Sequence, residues 1–308
     1  MLVVLSKAAA FIIIIAVGYW FKKLNIFSKD DYHLVSKIIL NITLPGAVIS
    51  SFAHFKMDYG LFGAVALGLL GNIFMMLLAM LLTRRETPSA KIFYVFSLAG
   101  YNIGCFTMPF VQAFMGPFAV VAICMFDVGN SIMCTGLTYA IAASCIGYAD
   151  GRKDDFNVKN IVDKLLHSTP FVVYVSMLIL SVLNIRFPES VYTFTKIVGD
   201  ANPFLSMLMI GMMFEISTDK RALGYIKEIF FSRYVIGLAL AALFIYFAPF
   251  SRDVNIVVAL AFMAPASIVG PIFVERLGGN VPLASFFNSL TLFTSVILFT
   301  AFFLIMHV

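Results

Sequence analysis

The stretch AGYNIGCFTMPFV, residues 99–111, interrupts an apolar segment with glycines, an asparagine and a proline. A second apolar segment, LAFMAPASIVGPIFV at residues 260–274, is interrupted by Pro265 and Pro271. Pro109 and Pro265 are 156 residues apart, so the interruptions take corresponding places in the two halves of the chain. A proline inside a helix removes a hydrogen-bond donor and crowds the preceding turn. Matched broken helices in corresponding repeats of a membrane protein indicate a binding site near the bilayer midplane.

The composition excludes an ordinary soluble domain. Hydrophobic residues make up 61% of the chain and charged residues only 12%, which is far from the usual balance. Apolar stretches recur along the whole chain, each long enough to cross a hydrocarbon core of roughly 30 Å. We therefore predict an all-α polytopic membrane protein whose partner is the lipid bilayer. Its ten predicted spans are 2–21, 34–53, 59–82, 91–115, 118–147, 162–184, 189–214, 222–248, 254–275 and 281–306.

The positions of lysine and arginine predict the orientation of these spans. Connections after the odd-numbered spans carry 14 of the 21 basic residues, and basic residues mark cytoplasmic loops. We therefore expect both termini outside the cytoplasm, in a multi-pass protein of the cell membrane (plasma or inner). The net charge of +5 then reflects topology and not nucleic-acid binding. The 14 residues are Lys22, Lys23, Lys29, Arg84, Arg85, Lys91, Arg152, Lys153, Lys159, Lys164, Lys220, Arg221, Lys227 and Arg276.

One hydrophilic stretch, YADGRKDDFNVKN at residues 148–160, divides the chain into two halves of five predicted spans. We assign residues 1–147 to a first repeat, 148–161 to a cytoplasmic loop and 162–308 to a second repeat. An odd number of spans per repeat gives the repeats opposite orientations, the inverted design of many secondary transporters. The fourth and ninth spans then become broken crossover helices. A shift of 158 residues relates Pro45 to Pro203, Asn130 to Asn288, Ser131 to Ser289 and Asp127 to Ser285.

The broken segments supply candidate binding groups. Backbone that leaves the helical pattern inside a bilayer is tolerated only where it is buried in protein or lines an aqueous cavity. Amide groups at the N-termini of half-helices carry positive partial charge and favour anions. Polar and helix-breaking residues at or near the breaks form the predicted substrate-binding set: Asn102, Gly104, Thr107, Pro109, Pro265, Ser267, Asn130 and Asn288.

Asp127 is the strongest single candidate because it is an acidic residue deep in an apolar span. It follows the turn at Gly116 and Pro117 by about ten residues, which at roughly 1.5 Å per residue puts it about 15 Å into the bilayer. An ionisable group at that depth is costly and is therefore functional by default. We predict that Asp127, with Ser131 beside it, couples transport to a proton or a sodium ion. The alternative is a structural carboxylate that hydroxyl and amide groups of neighbouring spans satisfy.

Other polar residues are weaker candidates. Asp200 lies beside Asn202 and Pro203 and is consistent with a helix cap. Arg233 lies about one turn inside the cytoplasmic edge of its span, from where a long side chain can snorkel to the interface. Either side chain could also neutralise an anionic substrate. No metal and no cofactor other than the coupling ion is expected, because metal-ligand spacing and a phosphate-binding loop are missing from the sequence. The four cysteines are interpreted as small packing residues: Cys105, Cys124, Cys134 and Cys145.

Four stretches of the chain resemble the auxin efflux carrier family. LNITLPGAVISSFA (40–53) is similar to the second span of that family. YNIGCFTMPF (101–110) is similar to its fourth span, which is rich in asparagine and glycine and ends in the crossover proline. NPFLSMLMIGMMFE (202–215) and MAPASIVGPIFV (263–274) are similar to its seventh and ninth spans. The resemblance covers essentially the whole chain, including the ten spans, the outward termini and the two five-span repeats.

This resemblance implies a scaffold of spans 1, 2, 6 and 7 and a moving transport domain of spans 3–5 and 8–10, as in sodium/bile-acid symporter and sodium/proton antiporter-like folds. A homodimer would then form through the scaffold spans. The short central loop is similar to that of prokaryotic members, which are associated with malate, malonate and related carboxylates. The run from Cys105 to Thr107 departs from the asparagine-rich plant pattern, which argues against auxin itself. The scaffold side of the site would include Asn41, Pro45, Asn202 and Pro203.

The sequence therefore predicts a secondary transporter, not an enzyme, that carries a small organic anion by alternating access. The expected substrate is a mono- or dicarboxylate. An auxin-like or other weak-acid efflux uniporter is the alternative within the same class. An intramembrane aspartyl protease using Asp127 and Asp200 would need a Gly-x-Gly-Asp stretch, and the chain has Ile197 where the first glycine should stand. A channel is the remaining alternative.

Overall fold

A computed structural model describes residues 2–28, 30–53, 55, 58, 60–153, 156–214 and 223–306, and its regular secondary structure is helical over that part of the chain. Of the residues used above, Lys29, Glu215, Lys220 and Arg221 lie outside the described residues. The helices are α1 (Leu2–Lys23), α2 (Asp31–Ser51), α3 (Leu61–Leu82), α4 (Pro88–Leu98), α5 (Ile103–Phe114), α6 (Pro117–Ile146), α7 (Val158–Leu166), α8 (Thr169–Val182), α9 (Glu189–Asp200), α10 (Asn202–Met213), α11 (Leu223–Phe247), α12 (Arg252–Phe262), α13 (Gly270–Arg276) and α14 (Val281–Met306).

Among the described residues, six helices are long and apolar enough to cross a membrane: α1, α2, α3, α6, α11 and α14. The pair α7 and α8, bent by 79° at its junction, would make a seventh span. The spans predicted at 91–115, 189–214 and 254–275 are each divided into two shorter helices. The prediction of an all-helical polytopic membrane protein is therefore confirmed. The count of ten spans and the inverted repeat stay predictions.

The interruptions of the two crossover segments are not placed as the proline spacing predicts. The first gap, at 99–102, precedes Pro109, which lies inside α5 directly after a π-type turn at Ile103–Thr107. In the second gap, at 263–269, Pro265 lies within the gap itself, and Pro271 lies in the first turn of α13. Pro265 therefore does not take the place of Pro109, whereas Pro271, the alternative crossover proline, follows its gap at the start of a helix as Pro109 does. The chain leaves the first helix at Gly100, whose φ of +92° is a conformation that favours glycine.

Two close helix contacts define how the bundle is assembled. α1 packs along α10, and a Cβ on Gly211 would collide with the Ile15 carbonyl oxygen. α3 packs equally closely along α6, and a Cβ on Gly129 would collide with the Val65 carbonyl oxygen. Small residues that let backbones approach are the usual means of helix association in membranes, where burial of apolar surface gives little driving force.

The middle of the bundle is formed by α6 and α12. Every residue from Ala119 to Asn130 in α6 is buried, and so is every residue from Val254 to Phe262 in α12. The periphery carries exposed apolar side chains such as Trp20 and Leu81, as expected for surfaces that face lipid tails. The two gaps in the chain lie against this central pair of helices, so the irregular backbone is shielded from lipid.

Candidate functional site

The two gaps meet and cross. The Asn102 amide donates a hydrogen bond of 3.0 Å to the Pro265 carbonyl, and Tyr101 forms an antiparallel bridge with Ala266. Each gap therefore satisfies part of the other's backbone, which neither hydrocarbon nor a regular helix could do at this depth. The crossing predicted from the sequence is thus present as a direct backbone contact.

Arg233 on α11 binds the crossing from one side. Its side chain is 1% exposed and donates five hydrogen bonds of 2.8 to 3.0 Å to backbone carbonyls of both crossover segments. Its guanidinium also lies 5.0 Å from the centre of the Tyr101 ring, in a cation–π contact. The prediction that Arg233 snorkels to the interface is wrong, because these carbonyls draw its charged end inward.

Amide side chains of α3 and α6 satisfy the first gap from the other side. Asn72 Oδ1 accepts a hydrogen bond of 2.6 Å from the Gly100 amide, and Asn130 Oδ1 accepts one of 3.1 Å from the Tyr101 amide. Asn130 Nδ2 donates to the Tyr101 carbonyl at 2.9 Å. The two asparagines are themselves joined, since Asn72 Nδ2 donates to Asn130 Oδ1 at 3.1 Å. On this side, therefore, neutral amide side chains hold the first gap in its shape.

Asp127 is joined to this network and to a second body of helices. It is 6% exposed, and its Oδ1 accepts a hydrogen bond of 2.8 Å from Asn130 Nδ2. Its Oδ2 accepts one of 3.0 Å from the Tyr174 hydroxyl on α8. On one side, therefore, the carboxyl group is connected to the crossing through a single residue, Asn130. On the other side it touches a helix of the predicted scaffold.

Hydroxyl groups of α14 satisfy the second gap, and a tyrosine of α11 binds α14 beside it. Ser295 donates to the Met263 carbonyl at 2.9 Å, and the Ala266 amide donates to Thr291 Oγ1 at 3.2 Å. The Tyr234 hydroxyl donates to the Thr291 carbonyl at 2.8 Å. Among the described contacts of this second half, no carboxyl group takes the place that Asp127 has in the first half, so the two halves are chemically unequal.

A cavity of about 280 Å³ lies against the crossing. The Asn102 side chain lines it and is 4% exposed, and its Nδ2 has no hydrogen-bond partner among the described residues. The cavity also borders the first turn of α5, whose leading amides lack intrahelical acceptors as at any helix N-terminus. An unpaired donor in a small cavity suits a ligand with a carboxylate oxygen. The predicted residues that line this cavity are Asn102, Gly104, Asp127, Asn130, Ser131 and Ser267.

The polar residues of the second repeat lie in a neighbouring pocket. This pocket has a volume of about 190 Å³ and is lined by Ser285, Asn288 and Ser289. It shares Leu40, Ile268 and Val269 with the first cavity, so these apolar side chains separate the two. Asn288 is therefore not brought together with Asn130, although the repeat relates them.

Several predicted site residues do not reach the cavity. Thr107 is fully buried and donates to the Asn102 carbonyl at 3.2 Å, so it supports the first turn of α5 from behind. Asn41 is exposed and accepts a hydrogen bond of 2.6 Å from Thr169. Asn202 binds Thr43 and Gln112. Pro265 contributes its carbonyl to the crossing. The other predicted prolines lie within helices: Pro45, Pro109 and Pro203.

The arrangement also separates the two aspartates that a protease would need together. Asp200 is exposed on α9 and pairs with Lys196 at 2.7 Å, whereas Asp127 is buried beside Tyr174. Asp200 therefore does not act as the helix cap that its neighbours suggest. Sequence reasoning missed three contributors to the site, namely Asn72, Tyr174 and the inward role of Arg233. Asn72 could have been found, because an asparagine within the apolar run of α3 is itself a signal of interior placement.

Helices long and apolar enough to cross a membrane, and two broken segments that meet beside a cavity, are typical of a polytopic membrane protein. A family model described as a membrane transport protein matches residues 3–154. This match over the first half of the chain supports the resemblance to the auxin efflux carriers that the motifs indicate. No curated protein matches the chain.

Proposed function

We propose that this protein is a secondary carrier that moves a small organic anion across the membrane by alternating access. The observation that carries the proposal is the unpaired, buried Nδ2 of Asn102, a residue that lies at the first turn of α5 and lines a cavity of about 280 Å³. The positive end of a half-helix and a free amide donor both favour a carboxylate. The volume lies at the lower end of the range for ligand pockets, so it suits a ligand of a few carbon atoms.

The coupling ion is a proton carried by Asp127. Asp127 borders the same cavity as Asn102, so an ionised carboxylate there would repel an anionic substrate. Protonation removes that repulsion and lets substrate and proton occupy the site together. Substrate and proton therefore travel in the same direction.

Alternating access involves movement between two bodies of helices, the scaffold and the transport domain of the predicted division. The hydrogen bond from Tyr174 on α8 to Asp127 on α6 joins the two bodies at the coupling residue. Protonation weakens this bond, because a charge-assisted hydrogen bond becomes a neutral one. Occupancy of the site is thereby linked to the freedom of the transport domain to move.

The cavity opens towards the cytoplasm under the predicted topology. Ser168 and Pro170, next to the junction of α7 and α8, line it. On the opposite side, Gln112 of α5 donates to the Gly199 carbonyl at 2.9 Å and accepts from Asn202 at 3.3 Å. These bonds tie the transport domain to the scaffold at the outer face. The arrangement corresponds to an inward-facing state of the transport cycle.

Reconstitution into proteoliposomes tests the proposal. Uptake of labelled malate, malonate, acetate and a neutral amino acid is measured with an imposed pH gradient, with a sodium gradient and with neither. We expect accumulation of at least one carboxylate driven by the pH gradient. Flux that follows only the substrate gradient would indicate the uniporter, and ion current far above carrier turnover would indicate a channel.

A further inference from the structure

Arg233 is a buried cation that forms no ion pair with a carboxylate among the described residues. Its partners are instead five backbone carbonyl oxygens. Nη1 donates to two of them at 2.8 and 2.9 Å, and Nη2 donates to the other three at 2.9 to 3.0 Å. A charge buried without a counter-ion is costly unless other groups compensate it. The carbonyls must therefore act as its counter-charge: Ser97, Leu98, Gly100, Ala264 and Pro265.

The charges balance. Two of the carbonyls lie at the C-terminal end of α4 and that of Gly100 follows it, and two more follow the C-terminal end of α12. Each helix C-terminus is equivalent to roughly half a negative charge. Two such ends pointed at one place sum to about one negative charge, which a single guanidinium neutralises. Without it, the carbonyl ends of the two half-helices would repel each other across the crossing.

The geometry requires a planar fork. The two terminal nitrogens of Arg233 reach carbonyls of both gaps, and the Tyr101 ring lies against the guanidinium at 5.0 Å. A guanidinium can donate in two directions within one plane and stack on a ring at once. A lysine ammonium has three donors on one compact centre and could not span the same set.

We propose that Arg233 is a resident cation that takes the place of a bound metal ion at the helix crossing and holds both gaps together as one unit. It is a positioning residue, because it contacts the backbone of the crossing and is not one of the residues that line the cavity. The carbonyl oxygens that could coordinate a sodium ion there are already bonded to the protein's own side chain. Only the consequences for transport rest on the proposed function.

Removal of the side chain should convert the crossing into a cation-binding site. Arg233→Ala would leave the carbonyl oxygens facing a space shaped for a guanidinium group. We expect the purified variant to unfold at a lower temperature than the wild type. Millimolar guanidinium chloride should raise its unfolding temperature relative to choline chloride at equal ionic strength, and the wild type should show no such difference. Arg233→Lys should unfold at a temperature between those of the wild type and Arg233→Ala.

Arg252→Ala is the matched control. Arg252 is exposed and, among the described residues, donates one hydrogen bond, of 3.2 Å to the Met306 carbonyl, so its loss should produce no guanidinium-specific shift. Equal unfolding temperatures of Arg233→Ala in guanidinium and choline would overturn the proposal. So would a specific stabilisation by sodium that the wild type and Asp127→Asn share.

Transport provides a second measurement that does not depend on the folding of a variant. Initial uptake by the wild type at fixed pH should be unchanged when sodium is replaced by choline on both sides of the membrane. A requirement for sodium that persists in Asp127→Asn would place a metal ion at the crossing and would overturn the proposal. If the protein transports none of the tested anions, the thermal measurements still decide the role of Arg233, so the two failures are distinguishable.

Discussion

Asp127→Asn should remove the dependence of substrate binding on pH. Asparagine has nearly the same shape as aspartate and keeps an acceptor for the Tyr174 hydroxyl, which donates to Asp127 at 3.0 Å. It cannot ionise, so it imitates the protonated state permanently. The variant should therefore bind the anion at every pH and lose the ability to use a proton gradient.

Coulomb's law gives the size of the effect. Asp127 and Asn102 line one cavity, so we take a separation of about 5 Å between Asp127 and a bound carboxylate, within the range over which neighbouring charges act on each other. At an effective dielectric of about 20, two like charges at that separation repel by about 3 kcal/mol. Since about 1.4 kcal/mol is a factor of ten, ionisation of Asp127 should weaken anion binding by roughly 200-fold. Affinity is highest where Asp127 is protonated and falls as pH rises through its titration.

The assay is isothermal titration of malonate, or of whichever anion is transported, across the acidic to neutral range. Wild-type affinity should fall as pH rises, and the affinity of Asp127→Asn should stay constant. The other titratable side chains that line the cavity are Tyr101, Cys105 and Cys134, which ordinarily do not change charge below about pH 8. Asp200→Asn is the control, because Asp200 is exposed and paired with Lys196. The reasoning is refuted if Asp127→Asn keeps the wild-type pH profile or still accumulates substrate against a gradient.

Three further substitutions test single contacts. Asn102→Ala should raise KM by roughly tenfold or more, since a hydrogen bond to a charged group contributes about 1.5–3 kcal/mol. Asn41 lies on the exposed surface, so Asn41→Ala should leave KM unchanged. An equal rise in KM for both variants would contradict the assignment of Asn102 to the binding site. Asn72→Leu should lower stability by about 1–3 kcal/mol, because it leaves the Gly100 amide without its 2.6 Å partner; thermal unfolding measures this, and an unchanged midpoint would show that the contact is dispensable. Gly129→Ala should cost about 1–3 kcal/mol or more by forcing α3 from α6, whereas Gly116→Ala meets nothing within 4 Å and should be neutral in the same assay.

Local patterns were enough to find much of the cavity. The prediction named Asn102, Gly104 and Ser267 because each interrupts an apolar segment, and all three border the cavity. Asp127 and Asn130 were found for a related reason, since a polar side chain in the middle of a membrane span is costly unless it faces the interior. These inferences need only the residue and its immediate neighbours in the chain, which is why they could be made without a structure.

Contacts between distant segments could not be predicted in this way. Arg233 and the carbonyl of Ser97 are 136 residues apart, and Tyr174 and Asp127 are 47 residues apart. The hydropathy of α11 indicates how deep Arg233 lies in its span but not which neighbours its side chain contacts. An arginine near a membrane edge is therefore expected to snorkel outward. The direction depends on which polar groups other helices place beside it. Because every residue carries a backbone carbonyl, the sequence does not show which carbonyls are left to accept a hydrogen bond from a side chain.

Residue composition and order alone predict a helical membrane protein with two interrupted apolar segments and one carboxyl group in its interior. Apolar run length and the cost of polar groups in hydrocarbon are properties of the residues themselves. Tertiary structure decided what the interruptions do. It brought the gaps at 99–102 and 263–269 into contact, turned Arg233 towards both and left Asn102 with a free donor, because opposing helix ends and unpaired backbone groups must find their partners in space.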